Sequence, residues 1–450
     1  MEAKNGRKAH VLAVAGPAQG HVKPLMKLCR QIAKHGLKVT LVNLQSVHDK
    51  LVGEEDNIVQ MVSIPDVPIE EDKDDPFKKM KNLRKTMPES LKDLIQGINS
   101  SSNPEEKIGF VIADVMVEWL MDTAAEMGAE PILFSPTSAA FRAMMSRIPA
   151  LLEDGMLDLN GNIEKCEKIT LSDDIPAWDK DEFSWSFPHD PKTQKSFFDL
   201  INPDRGKIIQ PKLHLINTCY ELESPACDLR PNLLPVGPLL EMNNSCNFYP
   251  EDESCLSWLD TKLPESVIYV SFGSIAVVSQ QQLDELALGL ELSGRAFLWV
   301  VRPDLVNGLR AVYPDGFLER VSGIGMIVEW APQERVLFHP SVACFLTHCG
   351  WNSILEGLSK GVSFLCWPFF MDQFHNQNYI CDKWEAGLRV DGDGSGIRTR
   401  NEIKEKIGMM FCNGDLKANA MRLKEIFAKT VCEGGSSYNN FERFIDYLRK

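Results

Sequence analysis

The sequence predicts an α/β protein made of two doubly wound halves, each a parallel sheet wrapped by helices. Three observations carry that prediction. Apolar strand-like runs alternate with helical patterns from the start of the chain, which is how βαβ units of a parallel sheet read. The chain has 450 residues, too many for one ordinary core. The alternation also breaks off near residue 237 and resumes near 266, after a polar stretch.

In the first half, AHVLAVA (9–15) is the leading strand, followed by a Gly-Pro turn and a helix over 22–35. KVTLVN (38–43) and NIVQMVSI (57–64) are the next strands, and an amphipathic stretch covers 76–98. GFVIAD (109–114) leads into a helix over 118–127, and PILFS (131–135) into one over 139–152. From 154 to 204 the pattern dissolves into Asp, Pro, Trp and Phe. That segment reads either as a surface insertion or as one whose Trp178, Phe183, Trp185 and Phe187 wall a substrate pocket. LHLINT (213–218) returns to strand character, and NNSCNFYPEDES marks a linker.

The second series runs SVIYVSFGS (266–274), a helix over 280–292, FLWVVR (297–302), GMIVEW (325–330), ACFLTH (343–348) and SFLCW (363–367). A last helix covers 439–447. The boundaries expected are an N-terminal domain over 1–240, a linker over 241–256, a C-terminal domain over 257–434 and a terminal helix over 435–450. Each doubly wound half should place its ligand contacts beyond the carboxyl ends of its strands.

The formal charge is −15, from 48 basic and 63 acidic residues. An acidic chain lacks the basic face that a nucleic-acid partner requires. No apolar run reaches the roughly 18 to 20 residues of a membrane span. The first apolar run is too short for a signal-peptide core. The 12 cysteines are scattered without a Cys-x-x-Cys pair, which points to a reducing cytosol rather than a disulfide framework. Nothing in the pattern demands an interface, so a monomer is expected.

The chemistry concentrates in WAPQERVLFHPSVACFLTHCGWNSILEGLSKGVSFLCWPFFMDQ (330–373). Here ACFLT runs into HCGWNS, an apolar strand end that opens a helix. The orphan N–H groups and dipole of such a helix start suit an anion. Asp372 and Gln373 follow the next strand and offer an acceptor-rich pair for sugar hydroxyls. A phosphate site beside a hydroxyl-reading pair suggests a nucleotide sugar. Asp372 and His375 have a ligand-like spacing, but no third and fourth ligand converge, so no metal is expected. Kinase and dinucleotide readings lack their glycine motifs.

This stretch resembles the signature box of plant secondary-product glycosyltransferases, UDP-sugar-dependent enzymes that act on small molecules. The Trp, Pro-Gln, His-x-Gly-Trp-Asn-Ser, Glu, Trp-Pro and Asp-Gln elements are all present without apparent gaps. The resemblance implies the GT-B architecture, two such domains facing across a cleft, with the last helix crossing back to the N-terminal domain. It implies a UDP-sugar donor, a small-molecule acceptor and no cofactor. Trp330 would stack on the uracil, Ala331 would belong to the donor site, Gln333 would lie near the uracil or ribose, and Glu356 would accept from the ribose hydroxyls. The His348 side chain, Gly350, and the backbone of Asn352 and Ser353 would surround the diphosphate, helped by Ser274 of SFGS. Trp351 would be partly structural, with its backbone near the sugar. Gln373 in place of a His favours glucose over galactose.

His21 ends GPAQGH at the carboxyl end of the leading strand, where a neutral imidazole could deprotonate an acceptor hydroxyl. A lone His there would read as a surface or capping residue, but Gly-x-x-x-Gly-His matches the family's catalytic loop. Asp114 ends GFVIAD and reads alone as a helix N-cap. The resemblance makes it the partner that orients His21. Either Thr137 or Ser138, in SPTSAAF, would touch the sugar from the N-terminal side. Trp119, Phe141 and Met145 are candidates for the acceptor pocket. Together these imply inverting transfer of glucose to a phenolic, flavonoid or terpenoid hydroxyl. The alternatives are a nucleotide-sugar binding protein without catalysis and an oxidoreductase on a similar fold.

Overall fold

The computed structural model describes residues 10–51, 58–66, 77–187, 190–202, 211–240 and 249–450. The first half holds β1 (His10–Val14), β2 (Lys38–Leu44), β3 (Gln60–Ile64), β4 (Ile108–Asp114), β5 (Glu130–Ser135), β6 (Lys168–Ile169), β7 (Trp178–Asp179), β8 (His214–Ile216) and β9 (Leu233–Pro235). Seven of these form one parallel sheet in the order β3-β2-β1-β4-β5-β8-β9. The winding reverses between β1 and β4, which opens a crevice at their carboxyl ends. Every residue of β1 is buried, as the centre of a sheet covered on both faces requires.

The second half repeats the plan with β10 (Val267–Ser271), β11 (Ala296–Val300), β12 (Gly325–Val328), β13 (Val342–Thr347), β14 (Ser363–Cys366) and β15 (Gly387–Arg389). These six parallel strands are ordered β12-β11-β10-β13-β14-β15. Its switch point lies between β10 and β13. The loops that leave those two strands carry Ser274 and the 348–353 motif.

Two of the apolar clusters among the described residues show how the halves pack. One lies around the N-terminal sheet and takes in Phe441, Phe444, Ile445 and Leu448. The last helix, Ser436–Leu448, is thus packed on the N-terminal sheet; Asn440 Nδ2 donates to the Pro235 carbonyl at 2.9 Å. The other cluster joins residues of both halves, from Met145 and Phe197 to Tyr379 and Trp384. No helix among the described residues is long and apolar enough to cross a membrane.

Several expectations need correction. The segment 154–204 is not structureless: β6 and β7 pair antiparallel, and Pro191–Ile201 is helical. Trp178, Phe183 and Trp185 are buried in the shared cluster, with Phe187 packed against it. Trp178 stacks on His375 with centroids 3.5 Å apart and planes within 1°. Large aromatic surfaces here pack on each other and on the second half. The expected linker over 241–256 ends sooner, because Ser254–Asp260 is helical and buries Cys255 and Leu259; its residues 241–248 lie outside the described residues. Asn57 and Pro76, expected to open a strand and a helix, also lie outside them. The three-residue strands β9 and β15 carry too few residues to show a period.

Candidate active site

Between the carboxyl ends of the two sheets lies a cavity of about 270 Å³. His21, Met116, Pro136 and Thr137 line it from the first half. Ser274, Trp330, Ala331, Gln333, His348, Gly350, Trp351, Asn352, Ser353, Glu356, Asp372 and Gln373 line it from the second.

His21 stands in the first turn of the helix Gln19–Lys34, directly after β1. Its Nδ1 lies 2.8 Å and 3.0 Å from the two carboxylate oxygens of Asp114. Asp114 is fully buried, and its Oδ1 also accepts the Met116 N–H at 2.8 Å. It is therefore helix cap and histidine partner at once. The tautomer with Nδ1–H donating leaves Nε2 as a proton acceptor. Burial pulls the His21 pKa down, but the Asp114 charge and hydrogen bond, with a contribution from Asp372, hold it above its ordinary value. Gly16 makes this approach possible, since a Cβ there would lie 2.8 Å from Asp114 Oδ1.

The adjoining loop distinguishes Thr137 from Ser138. Ser138 is buried and its Oγ accepts the Phe141 N–H at 3.1 Å, capping the helix Ala139–Glu153. Thr137 lines the cavity, and its buried Oγ1 has no hydrogen-bond partner among the described residues. Sequence reasoning missed Glu223, whose carboxylate accepts the N–H groups of Ala139 and Ala140 and the Thr218 hydroxyl. Burial pushes its pKa up to about 7. Nothing local in YELES marks it, because the Ala139 and Ala140 N–H groups it accepts lie more than 80 residues away.

The helix Trp351–Lys360 begins after Gly350 with no side-chain cap, so its first N–H groups stay free for a ligand. Gly273 and Gly350 let the backbone crowd the His348 ring; a Cβ on Gly273 would lie 2.8 Å from it. Cys349 adopts φ +64°, a strained setting for a non-glycine residue that concentrates at functional sites. Burial, helped by Arg302, lowers the His348 pKa to about 4, so the ring is neutral. Arg302 was also missed. It donates to the Gly273 carbonyl at 2.5 Å and the Ala276 carbonyl at 2.8 Å, bracing the loop that carries Ser274.

Trp330 lies against Tyr249, with centroids 5.0 Å apart. Gln333 Nε2 donates to Glu356 Oε2 at 2.7 Å and to Ser353 Oγ at 3.0 Å. The Trp351 indole N–H donates to the Asn217 carbonyl at 2.8 Å, which fixes that ring as a structural strut.

The Asp372–Gln373 pair differs from expectation. Gln373 Oε1 accepts the N–H groups of Phe369 and Phe370 at 2.9 Å and 3.2 Å. That orients the amide and leaves its NH₂ as a donor. Asp372 remains the acceptor; burial raises its pKa, opposed by the Asn376 side chain, which donates to Oδ2 at 3.0 Å, and by His21. The pair thus offers one donor and one acceptor rather than two acceptors. His375 is occupied by the Pro176 carbonyl at 2.9 Å and by its stack on Trp178.

The proposed acceptor trio does not line the cavity. Trp119 packs beside the N-terminal core with Arg84 over its ring at 5.7 Å. Met145 is buried and Phe141 packs against the shared cluster. Of the three, Met145 is buried, whereas Trp119 and Phe141 are partly buried against the two clusters. Met116, Phe370 and Met371 supply the apolar lining instead.

Comparison with known proteins gives concordant matches. A profile of the family described as "UDP-glucoronosyl and UDP-glucosyl transferase" matches residues 204–432. UDP-glycosyltransferase 83A1 of Arabidopsis thaliana is 36% identical, over 98% of this chain and 97% of its own. The 7-deoxyloganetin glucosyltransferase of Catharanthus roseus is 32% identical, over 98% and 97%. Among solved structures, a UDP-glucosyltransferase from Polygonum tinctorium capable of glucosylating indoxyl superposes with a TM-score of 0.83 at 26% identity, covering 98% of this chain and 99% of that one. Os79 from O. sativa, in complex with UDP, gives 0.81 at 25% identity, covering 97% and 100%.

Proposed function

This chain belongs to the UDP-glucoronosyl and UDP-glucosyl transferase family, and from that premise we propose that it is an inverting glucosyltransferase acting on a hydroxyl of a small, largely apolar acceptor. The donor is UDP-glucose, and the acceptor class is phenolic, flavonoid or terpenoid. The observation that carries this reading is the His21–Asp114 pair facing a donor-type cavity.

His21 Nε2 takes the acceptor proton while the acceptor oxygen forms its bond to the anomeric carbon. The bond from that carbon to the diphosphate oxygen breaks on the opposite face, and UDP leaves with the electron pair. One displacement inverts the centre, so an α-linked donor gives a β-glucoside. Asp114 holds the imidazole tautomer and stabilises the imidazolium. The free N–H groups at the start of Trp351–Lys360, with His348 and Ser274, meet the charge that grows on the leaving group. The Gln373 NH₂, the Asp372 carboxylate and the Thr137 hydroxyl bind sugar hydroxyls, and no metal takes part.

Residues 1–240 supply the acceptor side and the base, and 257–434 the donor side. Each chain holds both halves of the site and works as a monomer. The described cysteines form no disulfide with one another, which supports a reducing compartment such as the cytosol. The test is incubation with UDP-glucose and a panel of hydroxylated acceptors, read by mass spectrometry for a mass gain of one hexose. A binding protein without catalysis predicts no product with any acceptor. The intact His21–Asp114 pair favours the enzyme.

A further inference from the structure

A group of four charges, three of them buried, sits where the halves meet at the edge of the cavity. Lys23 and Lys27 lie one turn apart on the helix that carries His21. Lys27 Nζ is bonded to Glu334 Oε1 and lies 4.0 Å from Glu356 Oε1. Lys23 Nζ lies 3.4 Å from Glu334 Oε1 and 3.7 Å from Glu356 Oε1. Side-chain exposure is only 5% for Lys27 and Glu356 and 8% for Glu334. Lysine and glutamate are almost never this buried unless paired.

The placement of the two carboxylates gives the group its meaning. Glu334 is in the helix Gln333–Phe338, and Glu356 in the helix whose free start frames the anion site. Glu356 divides its oxygens: Oε2 accepts from Gln333 while Oε1 faces the lysines. A second tie joins the same surfaces, since Asn352 Nδ2 donates to the Gly20 carbonyl at 2.7 Å. Apolar contact would tolerate sliding of one half over the other. Two cations between two anions are satisfied in a single register, because any slip leaves a buried charge unpaired.

We propose that Lys23 and Lys27 are positioning residues that lock the His21 helix onto the donor-binding helices, setting the distance from the base to the donor's anomeric carbon. This rests on the transfer reading above. Misplacement of a reacting group by about 1 Å costs on the order of 100-fold in rate, so the lock acts on kcat.

The test uses the full chain and a double variant, Lys27→Met with Glu334→Leu. It removes one cation and one anion together, so no charge is stranded and the fold is retained. Circular dichroism checks the fold, and titration with UDP counts active sites. The expected result is kcat per site lower by about 10- to 100-fold, with acceptor KM unchanged. Lys27→Arg keeps the charge but changes the size and geometry of the head group, so its kcat is expected to lie between those of wild type and the double variant. Equal kcat per site in wild type and double variant overturns the proposal alone. Absence of glucoside from the wild type overturns the transfer reading and the proposal with it.

Discussion

Asn352 reaches from the donor loop to the Gly20 carbonyl, 2.7 Å away and 332 residues earlier in the chain. The acceptor it finds belongs to the residue just before His21. The start of the helix Trp351–Lys360 and the loop that carries His21 are therefore joined by a direct bond between the two halves.

Removing the base tests the central assignment. His21→Ala is expected to lower kcat by about 10²- to 10⁴-fold, with UDP affinity measured by calorimetry within a few-fold of wild type. Equal rates in the two proteins would show that His21 is not the base.

Asp114→Asn tests the pair through pH. The base must be neutral, so activity falls as pH drops through the His21 pKa. Asp114 holds that pKa above its ordinary value of 6.5. The Asn variant should therefore show its acidic limb of kcat/KM at lower pH, with a reduced plateau. An unmoved limb would mean that Asp114 does not set the titration.

Trp330→Ala tests the proposed stacking of the uracil on this ring. Stacking of a nucleobase on an aromatic ring contributes about 1–3 kcal/mol, so UDP should bind about 5- to 150-fold more weakly. Calorimetric titration with UDP alone reads this without any acceptor. An unchanged Kd would return Trp330 to a packing role against Tyr249.

Gln373→Ala separates sugar from nucleotide. It removes the NH₂ donor and the brace on the Phe369 and Phe370 N–H groups. An unpaired polar contact costs about 1–3 kcal/mol, so kcat/KM for UDP-glucose should fall at least several-fold while UDP affinity changes little. Equal losses for both ligands would place Gln373 at the nucleotide.

Glu223 predicts a stability slope. Its folded pKa, about 7, lies above its ordinary value of 4.5 because burial disfavours the charge. Its contribution is fully present below 4.5 and fades as pH rises through 7. The melting temperature of wild type relative to Glu223→Gln should therefore fall across that window. A flat difference would show that Glu223 is paired well enough to ionise freely.

Much of the site was legible because its parts are contiguous. A strand, a Gly turn and a helix start are local patterns, so the 348–353 motif and the GPAQGH loop announced themselves. Trp119, Phe141 and Met145 lie outside the cavity lining, and the apolar period of a helix such as Ala139–Glu153 reads the same whichever way its apolar face turns. Glu223 and Arg302 stayed invisible, since a single charged residue carries no period and the backbone groups each one holds, at 139–140 and at 273 and 276, belong to other elements.

The sequence by itself determined the two doubly wound halves and which loops lie at the carboxyl ends of their strands. Strand and helix periodicity depends only on neighbours a few residues apart. Tertiary structure alone decided the rest: Asp114 as cap and partner together, Gln373 as donor rather than acceptor, the aromatics of 154–204 as packing, and the lysine–glutamate lock. Each depends on which distant side chain fills a hydrogen bond or a void first, and that is set by how the halves pack.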